Sequence, residues 1–146
     1  MKVQQGILVE QVPPLARHVF FTLADSTDLP RALDELVRLV DGTVPVAGLG
    51  TAVIQALGKQ LAALRVFPAL SNQGINIPST QQALWLWLRG GDRGELLYRT
   101  RELEHALAPA FRVVQVTEAF RYQENRDLSG YEDGTENPVD EEAVRV

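Results

Sequence analysis

The stretch Ala83-Leu84-Trp85-Leu86-Trp87-Leu88-Arg89-Gly90-Gly91-Asp92-Arg93-Gly94-Glu95 changes its period midway. From Ala83 to Leu88 the residues are large, apolar and aromatic, which predicts a strand. Gly90-Gly91 stops it, and Asp92-x-x-Glu95 has the form of a capping box that opens a helix. Leu96, Thr100, Leu103, Leu107 and Ala110 then recur at helical spacing. Phe111 to Phe120, with Val113, Val114 and Val116, predicts the next strand. The stretch is therefore the first turn of a β-α-β unit.

An equivalent unit precedes it. After Pro13-Pro14, the segment Ala16–Ala24 holds Val19-Phe20-Phe21-Thr22-Leu23 and predicts a strand. Asp28 is placed to cap a helix with Pro30 in its first turn. Leu29, Leu33, Leu36, Val37 and Val40 form the helical stripe, and Gly42 closes it. Val44–Leu49 predicts another strand, Thr51–Gln60 a short helix, and the chain from Pro68 through Ser71-Asn72-Gln73-Gly74 to Pro78 a loop. Two split β-α-β units predict an α+β, ferredoxin-like fold: a four-stranded antiparallel sheet with helices on one face. The strands carry large apolar side chains on both faces: Phe20 beside Phe21, Trp85 beside Leu86, Val113 beside Val114. A sheet with one solvated face should alternate, so the face without helices is expected to meet a second domain or subunit.

Composition narrows the classes of function. The 146 residues suffice for one domain, with 45% hydrophobic and 23% charged residues. A net charge of −5 without a basic run argues against nucleic acid as the main partner. The absence of cysteine excludes disulfides, thiol catalysis and thiolate metal sites. Without a leader-like N-terminus or an apolar run of about 20 residues, the expectation is a cytoplasmic protein with no membrane partner.

Several motifs carry little chemistry. Gly48-Leu49-Gly50-Thr51-Ala52-Val53 has Val53 where a dinucleotide fingerprint needs its third glycine, so a strand-to-helix turn is the simpler reading. Asp133-Gly134-Thr135 lacks the lysine of a phosphate loop. Counted from Asp127 or Asp133, the sixth position of a calcium loop is Glu132 or Pro138 rather than glycine. Asp140-Glu141-Glu142 reads as a solvated acidic tail. His18 on a strand and His105 on a helix have no nearby acid or nucleophile and read as packing or surface residues. Trp85, Trp87, Tyr98, Tyr122 and Tyr131 suit an electron relay if a redox centre lies near, although the strand alone accounts for the tryptophans.

The run Gly130-Tyr131-Glu132-Asp133-Gly134-Thr135-Glu136-Asn137-Pro138 stands apart. It sets Asp133 between two glycines in a segment without helical or strand period, and Pro138 disfavours helical geometry at Asn137. By chemistry alone Asp133 is an acid/base, a metal ligand or part of a structural turn. The nonamer closely resembles the Gly-x-x-Asp-Gly signature, with its trailing Thr-Glu-Asn-Pro, of the dye-decolourising (DyP-type) haem peroxidases. Gly6-Ile7-Leu8, Pro68-Ala69-Leu70, Pro78-Ser79-Thr80 and Leu84-Trp85-Leu86-Trp87-Leu88-Arg89-Gly90 look like the N-terminal half of that family, and with no export signal evident the chain is expected to resemble most its intracellular B-type branch.

The resemblance implies two ferredoxin-like domains with haem b between them, held mainly by the C-terminal one. It implies residues 1–125 as the N-terminal domain and 126–146 as a distal-loop segment and acidic tail leading to a haem domain outside this chain. Asp133 would be the distal acid/base in reducing hydrogen peroxide, with phenols, dyes or other organic donors oxidised one electron at a time. Glu132, Asp133, Gly134, Thr135 and Glu136 would line the cofactor. The family's proximal histidine and distal arginine have no counterpart here, so the chain alone is expected to be incompetent and to bring no metal ligand of its own. Two other readings stay open: an autonomous ferredoxin-like binding or homo-oligomerisation module, and a related haem protein acting in haem decomposition or iron release.

Overall fold

The structure, a computed structural model, describes residues 11–41, 44–138 and 141–142. In chain order the elements are β1 (Leu15–Leu23), α1 (Leu29–Leu39), β2 (Pro45–Leu49), α2 (Thr51–Ala56), β3 (Leu70–Asn72), β4 (Ile75–Ile77), β5 (Leu84–Gly90), α3 (Arg93–Leu107) and β6 (Phe111–Phe120). The main sheet runs β2-β5-β1-β6 with every neighbouring pair antiparallel. This is the split β-α-β arrangement that the two period changes predict. Gly6-Ile7-Leu8, Gly42 and Asp140 lie outside the described residues.

One sheet face and two helices build the core. Val19 and Phe21 of β1, Leu84, Leu86 and Leu88 of β5 and Phe111 of β6 meet Leu29, Ala32 and Leu36 of α1 and Leu96, Leu103 and Leu107 of α3. Phe21 and Phe111 pack edge to face with ring centres 6.4 Å apart. Thr100, the polar member of the α3 stripe, is buried but satisfied, its hydroxyl donating to the Leu96 carbonyl at 2.7 Å. Asp92 caps α3 as expected: its carboxylate accepts from the Glu95 amide at 2.9 Å.

Four local expectations are corrected. Asp28 occupies the N-cap of α1 without a side-chain bond, and Asp25 instead accepts from the Thr27 amide at 2.8 Å just upstream. Val37 is 77% exposed; Ala32 takes the buried position in the stripe, and α1 ends at Leu39. The second helix stops at Ala56 because the Gly58 and Lys59 amides turn back to Gln55 and Ile54, a Schellman closure with Gly58 at φ +66°. The segment expected to be a loop contains the β3–β4 hairpin, closed by Gln73 (φ +48°) and Gly74 (φ +83°). Two consecutive positive φ values make the two-residue hairpin turn that matches strand twist.

The Gly-x-Gly turn is structural, as its sequence implies. Gly50 ends β2 and opens α2, its amide donating to the Ala83 carbonyl at 2.8 Å. A Cβ on Gly50 would stand 1.9 Å from the Gln82 carbonyl oxygen. The obstacle is backbone of the segment leading into β5 and cannot rotate away. Gly50→Ala is therefore expected to cost about 3 kcal/mol, read as a lowered midpoint of chemical denaturation. A neutral effect would show that β2 and β5 part more easily than their register suggests.

Candidate functional site

The face of the sheet away from the helices carries an aromatic row. Cross-strand register sets His18 opposite Trp87 and Phe20 opposite Trp85. The His18 ring lies nearly parallel to both indoles, with centres 5.8 Å from Trp85 and 6.0 Å from Trp87. Trp85 Nε1 donates to His18 Nδ1 at 3.1 Å, and the Arg89 guanidinium sits 4.6 Å from the centre of a Trp87 ring. His18 is thus a packing residue of this row, as its isolated place in the sequence suggests. The expected large side chains on both faces are present on β1 and β5. On β6, Val113 packs on the core, while Val114 falls at the register shift opposite Phe20 and Phe21 and is half exposed.

Partial burial lowers the His18 pKa below its ordinary 6.5, and accepting from Trp85 requires Nδ1 to be unprotonated. The unfolded chain then takes up a proton first as pH falls, so the His18 contribution to stability is full above about 6.5 and fades below it. An NMR titration of the His18 ring is expected to show a midpoint under 6.5, accompanied by a change in Trp85 fluorescence. A midpoint above that value would contradict the neutral stacked ring.

The second candidate lies beyond β6. The Arg121 amide donates to the Pro14 carbonyl, extending the β1–β6 ladder, and the chain then folds back over residues 122–138. Arg126 organises this segment. Its amide donates to the Tyr122 carbonyl at 3.0 Å, its Nη1 to the Gly130 carbonyl at 2.9 Å, and its Nη2 pairs with Glu132 Oε1 at 2.9 Å. Asp127 makes a local turn: its carboxylate accepts from the Ser129 amide at 2.8 Å and from the Ser129 hydroxyl, and these bonds hold its pKa below the usual aspartate value. The Asp127 amide donates to the Tyr131 carbonyl at 3.0 Å, and the Asp133 amide to the Asn125 carbonyl at 3.2 Å.

A groove of ≈ 390 Å³ opens beside this loop, walled by Val12, Phe120, Arg121, Tyr122, Asn125, Arg126, Asp127, Asp133, Gly134 and Asn137. Of the five cofactor-binding residues expected from sequence, Asp133 and Gly134 line it. Glu132 is turned to Arg126, and Thr135 and Glu136 are exposed outside the groove wall. Gly134 has φ +71°, and a Cβ there would meet Asn137 Nδ2 at 2.6 Å, so this turn needs glycine. Among the described residues, the Asp133 carboxylate has no hydrogen-bond or ion-pair partner, unlike those of Asp127 and Glu132. It is the carboxylate left free to act at the groove.

Sequence reading picks out Asp133 but misses Arg121, Asn125, Arg126 and Asp127. Asp127-Leu128-Ser129, directly before the nonamer, is the available signal, since an Asp followed two residues later by Ser commonly closes a local turn. Of the aromatic relay candidates, Tyr122 reaches the groove wall. Trp85 and Trp87 join the sheet row, and Tyr98 and Tyr131 are exposed.

No family profile matches the chain. Individual proteins do. The dye-decolorizing peroxidase of Mycolicibacterium paratuberculosis (strain ATCC BAA-968 / K-10) is 33% identical across 93% of this chain and 42% of its own length. That of Rhodococcus erythropolis (strain PR4 / NBRC 100887) is 31% identical across 80% of this chain and 34% of its own length. Among solved structures, DyPB from Rhodococcus jostii RHA1 matches 97% of this chain and 50% of that chain, with a TM-score of 0.76 and 25% identity. A single-residue variant of the same protein in complex with heme matches with a TM-score of 0.75 and 25% identity. A ferredoxin-like α+β domain is the class that this fold defines. In particular, the chain is similar in sequence and fold to dye-decolorizing peroxidases, and it spans less than half of the curated relatives and about half of the solved ones.

Among the described residues, no helix is long and apolar enough to cross a membrane.

Proposed function

We propose that this chain supplies the N-terminal half of a haem peroxidase site, with Asp133 as its acid/base. In this reading residues 1–125 are the ferredoxin-like domain, and 126–146 carry the distal loop toward a haem-binding half. The observation that carries it is the division of labour among neighbouring carboxylates: Asp127 and Glu132 are engaged within the loop, while Asp133 is free at the groove.

The residues present fit one side of a haem. Val12, Phe120 and Tyr122 offer apolar and aromatic wall, and Arg121, whose side chain has no partner among the described residues, suits an anionic propionate. Gly134 keeps the loop free of a side chain beside Asp133. Neither His18 nor His105 lies in the groove wall, so the iron ligand is assigned to residues outside this chain. When bound, haem supplies the redox chemistry that splits peroxide and later draws electrons singly from an organic donor. The protein's own task is proton movement. A carboxylate oxygen of Asp133 takes a proton from one oxygen of hydrogen peroxide and returns it to the other, so that water departs. Phenolic or dye-like donors are the substrate class that accompanies this chemistry.

Adding ferric haem to the 146-residue chain is expected to give no sharp five-coordinate histidine-ligated absorption spectrum and no peroxidase turnover. A tight one-to-one complex with turnover would overturn the division of the site between two halves. A second reading, self-association through the open sheet face, draws support from Trp87 Nε1, which is shielded yet has no hydrogen-bond partner among the described residues. Sedimentation of the chain distinguishes the two.

A further inference from the structure

We infer that Arg126 is a positioning residue for Asp133, holding the acid's loop in working shape before any cofactor arrives. The inference rests on the reading of Asp133 as acid/base. Arg126 grips the loop at two points that bracket Tyr131: the Gly130 carbonyl and the Glu132 carboxylate, each at 2.9 Å from a different guanidinium nitrogen. The backbones on either side bridge antiparallel, through the Asp127 amide to the Tyr131 carbonyl and the Asp133 amide to the Asn125 carbonyl, and Glu124 lies 3.9 Å from Nε. Glu132 is the immediate neighbour of Asp133, so a guanidinium that fixes Glu132 also fixes the direction in which the next residue leaves. The Asp133 amide is tied to the Asn125 carbonyl, on the residue that precedes Arg126. The segment 125–126 thus anchors both 132 and 133.

This grip matters because the loop's other ties among the described residues are short-range backbone bonds and the Asp127–Ser129 turn. The side chains from Ser129 to Pro138 are exposed, so no apolar burial holds the turn. Gly130 and Gly134, at φ +95° and +71°, leave the chain free to take many other shapes when unbound. A single fork-shaped donor that satisfies one carbonyl and one carboxylate restricts that freedom. It also turns Glu132 away from the groove wall, where Asp127 is engaged with Ser129 and Asp133 is the carboxylate without a partner among the described residues. Lysine carries its three donors on one nitrogen and lacks the planar fork that reaches the two acceptors from separate nitrogens.

The test has two parts. In the cofactor-free chain, amide hydrogen exchange by NMR is expected to quicken about 5- to 10-fold at Gly130 and Asp133, whose amides are hydrogen-bonded, in Arg126→Gln, and less in Arg126→Lys. The amides of β1 and β5 should not change, which separates loop release from unfolding. In the haem-loaded enzyme containing this chain, Arg126→Gln should lower kcat for peroxide about 10-fold with KM for the organic donor unchanged, and Arg126→Lys should recover part of it. Unchanged exchange at Asp133 in Arg126→Gln would overturn the inference, as would full activity in that variant. A loosened loop in Arg126→Gln, together with full activity in Asp133→Asn, would instead overturn the assignment of Asp133.

Discussion

Asp133→Asn in the haem-loaded enzyme is expected to slow the reaction with hydrogen peroxide by about 10²- to 10⁴-fold while haem content stays near that of the parent. The amide keeps the size and shape of the carboxylate but cannot take a proton from peroxide. Its neighbours cannot substitute. Glu132 is held by Arg126, Asp127 by Ser129, and neither can swing inward without breaking bonds that shape the loop. Stopped-flow absorbance of the haem band measures the rate, and pyridine haemochrome analysis measures occupancy. Equal loss of both would mean that Asp133 is a structural turn residue, the reading that its glycine neighbours also allow.

The second large effect lies in the core. Phe21→Ala is expected to destabilise the domain by about 4 kcal/mol, lowering the thermal midpoint by roughly 10 °C. Phe21 is 1% exposed and stacks edgewise on Phe111, which joins the two central-to-edge strands β1 and β6 to the helices above them. Removing the ring leaves a cavity beneath both helices that the tightly paired sheet cannot close. A loss under about 1 kcal/mol, measured by circular dichroism, would mean that the core repacks around the site. Phe20, its neighbour on the opposite face, should cost less, because that face is only partly covered.

The order of elements was readable because each long element repeats one period over enough residues to define a face. The α3 stripe from Leu96 to Leu107 and the apolar run of β5 both appear where the periods place them. Short elements offer no such repetition. The β3–β4 hairpin spans three residues a side, with Leu70 paired to Ile77 and Asn72 to Ile75, too few for alternation to stand out from a loop. Val37 shows a different limit: helical spacing places it near the stripe, but the width of the buried face is set by the neighbouring α3, not by α1 itself.

The site was legible in part for a related reason. Asp133 announces itself because glycines flank it, a local feature. What distinguishes it from Asp127 and Glu132 is which of them has a partner, and that depends on how the chain folds back. Arg126 looks like any surface arginine until the loop brings Gly130 and Glu132 to its guanidinium. The aromatic row is similar: Trp85 and Trp87 were visible as strand residues, but the hydrogen bond to His18 depends on the register between β1 and β5.

The most direct test is to locate the iron in a crystal of the haem-loaded enzyme containing this chain, using anomalous diffraction at the iron edge. The iron is expected to face Asp133 across the groove walled by Phe120, Arg121 and Gly134, with its axial protein ligand drawn from outside these 146 residues. Iron bound by His18 or His105, or lying away from Asp133, would contradict it.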